Sequence, residues 1–265
     1  MSYSPILSRP TILSLSFMSL FLFSLIICLI ADISILYAIG TTVSLFCLTL
    51  LFTSPLYLLL FLIIVRMSLD ALGDTLTIFI TNTLSVSLSQ AIGLLVFGLG
   101  IFFFSTRLHL LKQLKHILPL VIVFLWGSAT VFFSMSPDTT VRELLRVFDI
   151  AALSAIAFFV IENKEDFKKL LSAFFLSSVI PVIVGLYQFS FGIGFEDETV
   201  SIPRIYGTFS HPNIFSLYLF ALIVLSTLYF ALFANTRHKR IGIILLAILY
   251  SAMLFITYTR IAWLA

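Results

Sequence analysis

Long runs of apolar residues, cut by isolated charges and prolines, make up most of this 265-residue chain. About 20 mostly apolar residues cross the roughly 30 Å hydrocarbon layer of a bilayer as an α-helix. The pattern therefore predicts an all-α fold, a polytopic transmembrane helical bundle forming one integral membrane domain over residues 1–265. The predicted spans, about nine in number, are 12–31, 33–52, 55–69, 76–104, 117–134, 144–161, 170–192, 213–233 and 241–258.

The fourth predicted span is long for a single helix, and its first half is unusually polar. The stretch Thr81–Gln90 carries several hydroxyl and amide side chains. Such a segment is tolerated at membrane depth only where it faces protein or water. We therefore expect this half to be an interfacial or re-entrant piece.

Composition supports the membrane class. Hydrophobic residues make up 61% of the chain and charged residues 10%, against about 25% charged residues in an ordinary soluble domain. Cys28 and Cys47 lie inside apolar runs, so they predict neither a disulfide framework nor a thiolate zinc site. The net charge of +3 by itself says nothing about a nucleic-acid partner, and we expect none.

The positions of the cations predict an orientation. Cytoplasmic loops of membrane proteins carry an excess of Lys and Arg. If the N-terminus is cytoplasmic, ten of the 15 Lys and Arg residues fall on the inner side and five on the outer side. We therefore predict a multi-pass protein with a cytoplasmic N-terminus. All five outer cations are arginines: Arg66, Arg142, Arg146, Arg204 and Arg260.

The predicted outer loop Phe195–Asn213 is the stretch richest in candidate chemistry. Gly207 allows a tight turn, and Ser210 or His211 can cap a helix that has Pro212 in its first turn. Free N–H groups at such a helix start form a natural anion site. The alternative is an ordinary loop with one solvated arginine. The loop brings together Arg204, Tyr206, Gly207, Thr208, His211 and Asn213.

The other outer arginines each leave two interpretations open. Arg260, at the end of the ninth predicted span, either contacts an anion or reaches lipid headgroups. Arg142 and Arg146 share one helix face, which fits an interfacial helix on anionic lipid or a basic wall for a lipid-linked phosphate. Arg66 and Asp70 are also four residues apart, a spacing that allows them simply to pair.

The sequence predicts neither a metal site nor another cofactor. The side chains of the three consecutive acids Glu196–Glu198 point in different directions on any backbone, and no His or further carboxylate lies at ligand spacing from them. Walker, Rossmann, zinc-protease and nucleophile-elbow spacings are absent from the sequence. We therefore expect any chemistry to depend on side chains alone.

Three short motifs carry a family resemblance. RIYGTFSHPN begins at Arg204 and is similar to an R-x-x-G-T-F-x-H-P-N block before a span. TYTRIAWL begins at Thr257 and is similar to a T-x-[ST]-R-[GA]-A-[WL] block one span later, with Ile261 where Gly is usual. RMSLD, from Arg66, is similar to an R-x-S-x-D element near the third span. In these motifs the chain resembles the O-antigen ligase and O-antigen polymerase family of bacterial envelope enzymes.

The resemblance implies a metal-independent glycosyltransferase at the outer face of the bacterial cytoplasmic membrane, in lipopolysaccharide or other polysaccharide biosynthesis. The implied donor is a glycan on undecaprenyl diphosphate, and the acceptor is a hydroxyl on a lipid, a glycan or a protein. Arginines suit this chemistry because fixed cations stabilise the departing diphosphate. The resemblance implies catalytic roles for Arg204 and Arg260 and substrate-binding roles for Arg66, Arg142, Arg146, His211 and Asn213.

Family members carry a large outer loop after the second arginine block, with a histidine proposed as the acceptor-activating base. The resemblance therefore predicts that this chain is an N-terminal fragment, inactive alone. The competing class is a transporter or permease for a polysaccharide precursor or a small solute, and the polar stretch Thr81–Gln90 supports it. A transporter requires intramembrane charges or broken helices. Almost every charge falls at a predicted span end, which favours the enzyme.

Overall fold

The computed structural model describes residues 35–68, 77–79, 85–106, 118–197 and 200–260, most of them helical. The chain divides into two compact units between Leu58 and Leu59, and the predicted single domain stays a prediction. The elements, in chain order, are α1 (Ile35–Thr53), α2 (Pro55–Ser68), β1 (Thr77–Phe79), β2 (Ser85–Ser87), α3 (Leu88–Thr106), α4 (Leu118–Thr130) with a 3₁₀ turn (Val131–Phe133), α5 (Pro137–Val160), α6 (Lys164–Ser177), α7 (Val179–Phe191), β3 (Phe195–Asp197), β4 (Val200–Arg204), α8 (Pro212–Phe233) and α9 (Arg237–Ile256).

Within the described residues, three helical segments are long and apolar enough to cross a membrane. They are Lys164–Phe191, which comprises α6 and α7, then Pro212–Phe233 and Arg237–Ile256. The segments Pro55–Ser68 and Leu118–Phe133 are apolar but shorter. The structure thus confirms a helical fold whose described residues include three helical segments long and apolar enough to span a membrane. The count of nine spans stays a prediction, and the first predicted span, 12–31, lies outside the described residues.

The fourth predicted span is not one continuous helix. The short strands β1 and β2 pair antiparallel, with Thr77 opposite Ser87 and Phe79 opposite Ser85. Helix α3 begins only at Leu88. The β-branched and aromatic residues of these strands favour extended backbone. The apolar pattern therefore predicted the helix about three turns too early, and part of the polar stretch belongs to a hairpin.

The predicted span 170–192 is interrupted at Ser178, between α6 and α7. Pro181 has no N–H to donate to the carbonyl of Ser177, as a continuous helix requires. The side chain of Ser68 lies against that carbonyl instead, with Oγ donating to the oxygen at 3.5 Å. The break therefore follows from a local sequence signal and is bridged by the end of α2.

The core of the second unit lies between the helices α7, α8 and α9, and it encloses the break. The hydroxyl groups of Tyr218 and Ser177 lie 2.7 Å apart, as do those of Tyr250 and Ser178. All four residues are buried. Because buried hydroxyl groups require hydrogen-bond partners, these pairs fix α8 and α9 against the interrupted segment.

Cations collect at the two ends of this helical group. The ring of Phe167 near the start of α6 lies 6.3 Å from the ring of Phe233 at the end of α8, so these termini are neighbours. We call this the lysine end, and the opposite end, with Arg204 and Arg260, the arginine end. The described cations on the lysine-end segments are Lys164, Lys168, Lys169, Arg237, Lys239 and Arg240.

Candidate functional site

The centre of the candidate site is the buried guanidinium of Arg204, whose residue is 8% exposed. Its Nε donates to the carbonyl oxygen of Thr257 at 3.0 Å. Its Nη2 donates to Asn213 Oδ1 at 2.9 Å and to Thr259 Oγ1 at 3.1 Å. We call these four residues the Arg204 cluster. One side chain thus connects the start of α8 with the residues that follow α9.

Arg204 is the last residue of β4, and the hairpin of β3 and β4 holds it in this position. Phe195 is the strand partner of Arg204. A Cβ atom on Gly194 would lie 2.6 Å from the carbonyl oxygen of Arg204, so only glycine fits there. Helix α7 ends just before, at Gly192 with φ of 64°. The two glycines therefore allow the chain to turn from α7 into the hairpin.

Gln188, in the apolar helix α7, holds the loop that follows Arg204. Its Oε1 accepts hydrogen bonds from the backbone N–H groups of Tyr206 and Gly207 at 2.9 Å each. Its Nε2 donates to the carbonyl oxygen of Gly207 at 3.1 Å. Sequence reasoning missed Gln188. The signal that could have identified it is an amide side chain within a predicted apolar span, since polar side chains are uncommon in such spans without a specific role.

The turn predicted at Gly207 is confirmed, and of the two predicted cap residues, Ser210 and His211, the structure has His211 as the cap. Gly207 has φ of 59°, and a Cβ there would lie 2.8 Å from the carbonyl oxygen of Pro181. His211 is the N-cap of α8, and its Nδ1 accepts the backbone N–H of Asn213 at 3.1 Å. Pro212 occupies the first turn. The positive end of the α8 dipole therefore lies beside Arg204.

The residues after α9 present Arg260 at the surface. Tyr258 has φ of 52°, a left-handed conformation that is uncommon for a residue other than glycine. Contacts with Arg204 hold its neighbours Thr257 and Thr259 on either side. Thr259 is buried and Arg260 is exposed. The turn at Tyr258 is therefore followed first by Thr259, which is buried against Arg204, and then by the exposed Arg260.

Arg66, near the end of α2, pairs with Asp149 of α5. Its Nη1 lies 3.4 Å from Asp149 Oδ2. Sequence reasoning missed Asp149 and considered Asp70, which lies outside the described residues. The carbonyl oxygen of Met67 accepts the hydroxyl of Thr208 at 3.4 Å. The end of α2 is thus attached to the loop that Gln188 holds.

Arg142 and Arg146 are both in α5, as the predicted shared helix face requires. Arg146 is exposed and its Nη1 lies 2.6 Å from Glu143 Oε1. The side chain of Arg142 is outside the described part of the structure. Over the ranges that the structure covers, no three His, Cys, Asp or Glu residues are grouped as metal ligands.

No family model, curated protein or solved structure matches this chain. What the site can do therefore follows from its own geometry. That geometry consists of a helix N-terminus, a buried arginine beside it and an exposed arginine one residue past the cluster. It is suited to an anionic ligand at the arginine end.

Proposed function

We propose that this protein takes part in glycan transfer from undecaprenyl diphosphate to an acceptor hydroxyl, as an O-antigen ligase or surface-polysaccharide polymerase. The observation that supports this most is the arrangement at the arginine end. The exposed Arg260 directly follows the Arg204 cluster, beside the N-terminus of an apolar helix. A fixed cation at this position would stabilise the diphosphate of a membrane-anchored donor.

The sorting of cations supports an outward arginine end. Every lysine of the described residues lies in a segment at the lysine end. By the positive-inside rule, this end is cytoplasmic, and Arg204 and Arg260 then face the outer side. The proposal retains the multi-pass topology with a cytoplasmic N-terminus in the bacterial cytoplasmic membrane.

In the proposed reaction the acceptor oxygen attacks the anomeric carbon of the donor glycan. The bond from that carbon to the diphosphate oxygen breaks, and its electron pair leaves with undecaprenyl diphosphate. The acceptor proton passes to a base, which in the family that the chain resembles is proposed to be a histidine. Arg260 stabilises the charge that develops on the leaving diphosphate. Arg204 adds positive charge beside it and holds the turn that presents Arg260.

The proposal assigns binding of the donor lipid to the remaining cations and to the start of α8. The N–H groups of Asn213, Ile214 and Phe215 all donate to His211, so this helix start attracts a phosphate through its dipole and not through free N–H groups. His211 and Asn213 shape this terminus through the cap and through the contact with Arg204. The assigned binding residues are Arg66, Arg142, Arg146, His211 and Asn213.

Binding of undecaprenyl diphosphate to the purified chain in nanodiscs tests the proposal without requiring turnover. We expect the Kd to rise about tenfold or more in Arg260→Ala, because a charged hydrogen bond contributes about 1.5–3 kcal/mol. The matched control is Lys239→Ala, an exposed cation at the lysine end, whose Kd should stay unchanged. Absence of binding to the unmodified chain, or equal Kd values for both variants, would contradict the proposal.

A transporter is the second candidate, and two observations favour it. The break at Ser178 interrupts a segment of spanning length, and Asp149 is a buried carboxylate in a helix of a membrane protein. Broken helices and intramembrane carboxylates are features of transporters. Uptake of a labelled polysaccharide precursor into liposomes that contain the protein, with no glycan transfer, would favour this candidate.

A further inference from the structure

We propose that Asp149 positions Arg66 and that this pair forms a second binding point for the diphosphate of the donor lipid. The inference rests on the proposed function and extends it to a residue that the family motifs do not include. Its basis is the geometry of the pair itself, and above all one carboxylate oxygen of Asp149 that has no hydrogen-bond partner in the part of the chain that the structure describes.

The carboxylate of Asp149 is fixed in a tight position between helices. The residue is 2% exposed, and α5, which carries it, packs against α3. A Cβ atom added to Gly93 of α3 would lie 3.3 Å from Asp149 Oδ2. Because the carboxylate lies close to the backbone of α3, it has little freedom to turn away from Arg66.

Among the described residues, one oxygen of this carboxylate has a partner and the other has none. Oδ2 contacts Arg66 Nη1, while Oδ1 is buried and accepts no hydrogen bond from that part of the chain. A buried polar atom without a partner is costly, so a carboxylate kept here for packing alone would be unfavourable. An apolar side chain would fill the same space at less cost. We infer that Asp149 serves the guanidinium that it contacts.

The guanidinium of Arg66 is held at one nitrogen only. The contact of 3.4 Å is longer than the 2.7–2.9 Å of a strong charged hydrogen bond. The Arg66 side chain is 28% exposed. Within the described parts of the chain, its Nε and Nη2 take part in no hydrogen bond. Asp149 thus fixes one side of the guanidinium and leaves the other side for an anion.

Arg66 lies next to a residue that contacts the candidate site, so an anion bound by Arg66 would lie near that site. Met67, the next residue, accepts the hydroxyl of Thr208. Thr208 belongs to the loop between Arg204 and α8, which Gln188 holds. The end of α2 and the Arg204 cluster therefore attach to one short loop, so a diphosphate near that loop has a second arginine available.

The first experiment measures the Kd of undecaprenyl diphosphate for Asp149→Asn, Arg66→Gln and the double variant in nanodiscs. Each single change should raise the Kd about tenfold, the range expected for a lost charged hydrogen bond. The double variant should bind no more weakly than Arg66→Gln, because both changes act through one guanidinium. The matched control is Glu165→Gln, which changes an exposed paired carboxylate at the lysine end and should leave the Kd unchanged.

A second pair of measurements separates positioning from simple structural support. In Arg66→Leu/Asp149→Leu an apolar contact replaces the ion pair, and the thermal unfolding temperature should stay close to that of the parent chain. Binding should remain weak in this variant. Recovery of binding together with stability would show that the pair is structural only, and would overturn the inference.

A third measurement compares binding of undecaprenyl diphosphate with binding to vesicles of phosphatidylglycerol, a general anionic lipid. Asp149→Asn should weaken binding of undecaprenyl diphosphate and leave vesicle binding unchanged, whereas equal loss for both would overturn assignment to the diphosphate. If the parent chain binds no undecaprenyl diphosphate, the proposed function fails and this inference with it. If the parent chain and Arg260→Ala behave as proposed but Arg66→Gln binds normally, this inference alone fails.

Discussion

Two arginines of the second unit are held in opposite ways. Arg204 is buried and donates to three protein oxygens at 2.9–3.1 Å, contributed by the start of α8 and the residues after α9. Arg66 is partly exposed, and within the described residues its guanidinium has one ion-pair contact, at 3.4 Å, with the buried Asp149. An arginine with several protein acceptors joins elements of the framework. An arginine tethered on one side keeps donors for a ligand.

The largest expected effect follows from replacing Arg204. In Arg204→Ala the free energy of unfolding should fall by about 3 kcal/mol or more, since buried acceptors lose charged hydrogen bonds. Glycan transfer should also fall strongly, because the turn before Arg260 loses its support. Arg204→Lys should restore only part of both, since an ammonium lacks the planar fork. Denaturant unfolding in detergent and a transfer assay measure the two effects.

Arg240 provides a matched control for this change. Its Nε donates to the carbonyl oxygen of Ala234 at 2.9 Å, at the lysine end. Arg240→Ala therefore removes a part-buried arginine hydrogen bond at the lysine end. It should destabilise the chain less than Arg204→Ala and leave binding of undecaprenyl diphosphate unchanged. Equal stability losses in the two variants would contradict the framework role of Arg204.

Arg260 should behave in the reverse manner, with a large effect on activity and a small one on stability. It is exposed, so Arg260→Ala should change the unfolding free energy by less than about 0.5 kcal/mol. Glycan transfer should fall about 10²–10³-fold, as for loss of one donor to a developing oxyanion. A transfer assay beside thermal unfolding separates the two arginines. Normal transfer in Arg260→Ala would remove this residue from the mechanism.

Sequence analysis succeeded where an interaction is local and failed where it is not. The cap at His211 and the turn at Gly207 depend on residues within a few positions, and both were predicted correctly. The contacts of Arg204 with Thr257 and Thr259 join positions 53 and 55 residues apart. The Arg66–Asp149 pair joins positions 83 residues apart. Motif order along the chain therefore identified the arginines but could not identify their partners.

The errors in helix bounds have a different origin. Counting apolar residues cannot distinguish a strand from a short apolar stretch of helix, so β1 was included in a predicted span. The same count ignored Pro181, although a proline inside a helix removes a backbone hydrogen bond. The break at Ser178 was thus visible in the sequence. The pairing of its two serines with Tyr218 and Tyr250 was not.

Gln188 tests whether the loop between the two arginine sites must be fixed. Gln188→Leu keeps the approximate side-chain size but leaves the N–H groups of Tyr206 and Gly207 without their acceptor. The unfolding free energy should fall by about 1–3 kcal/mol, and the Kd of undecaprenyl diphosphate should rise. Ser190→Ala, an exposed position two residues later on α7, is the control and should change neither. Unchanged binding in Gln188→Leu would show that the loop's position does not matter for the ligand.

The smallest expected effect concerns the cap of α8. His211→Ala removes the acceptor of the Asn213 N–H and should lower the unfolding free energy by about 1 kcal/mol. Thr236→Ala is the matched control, because Thr236 caps α9 at the lysine end and its loss should leave lipid binding unchanged. His211→Asn should restore stability, since asparagine is a favourable N-cap. If His211 also contacts the donor lipid, as its proposed binding role requires, His211→Asn recovers stability without recovering the Kd. Recovery of both would confine His211 to its role as a cap, and the anion site would then consist of the helix terminus and the arginines.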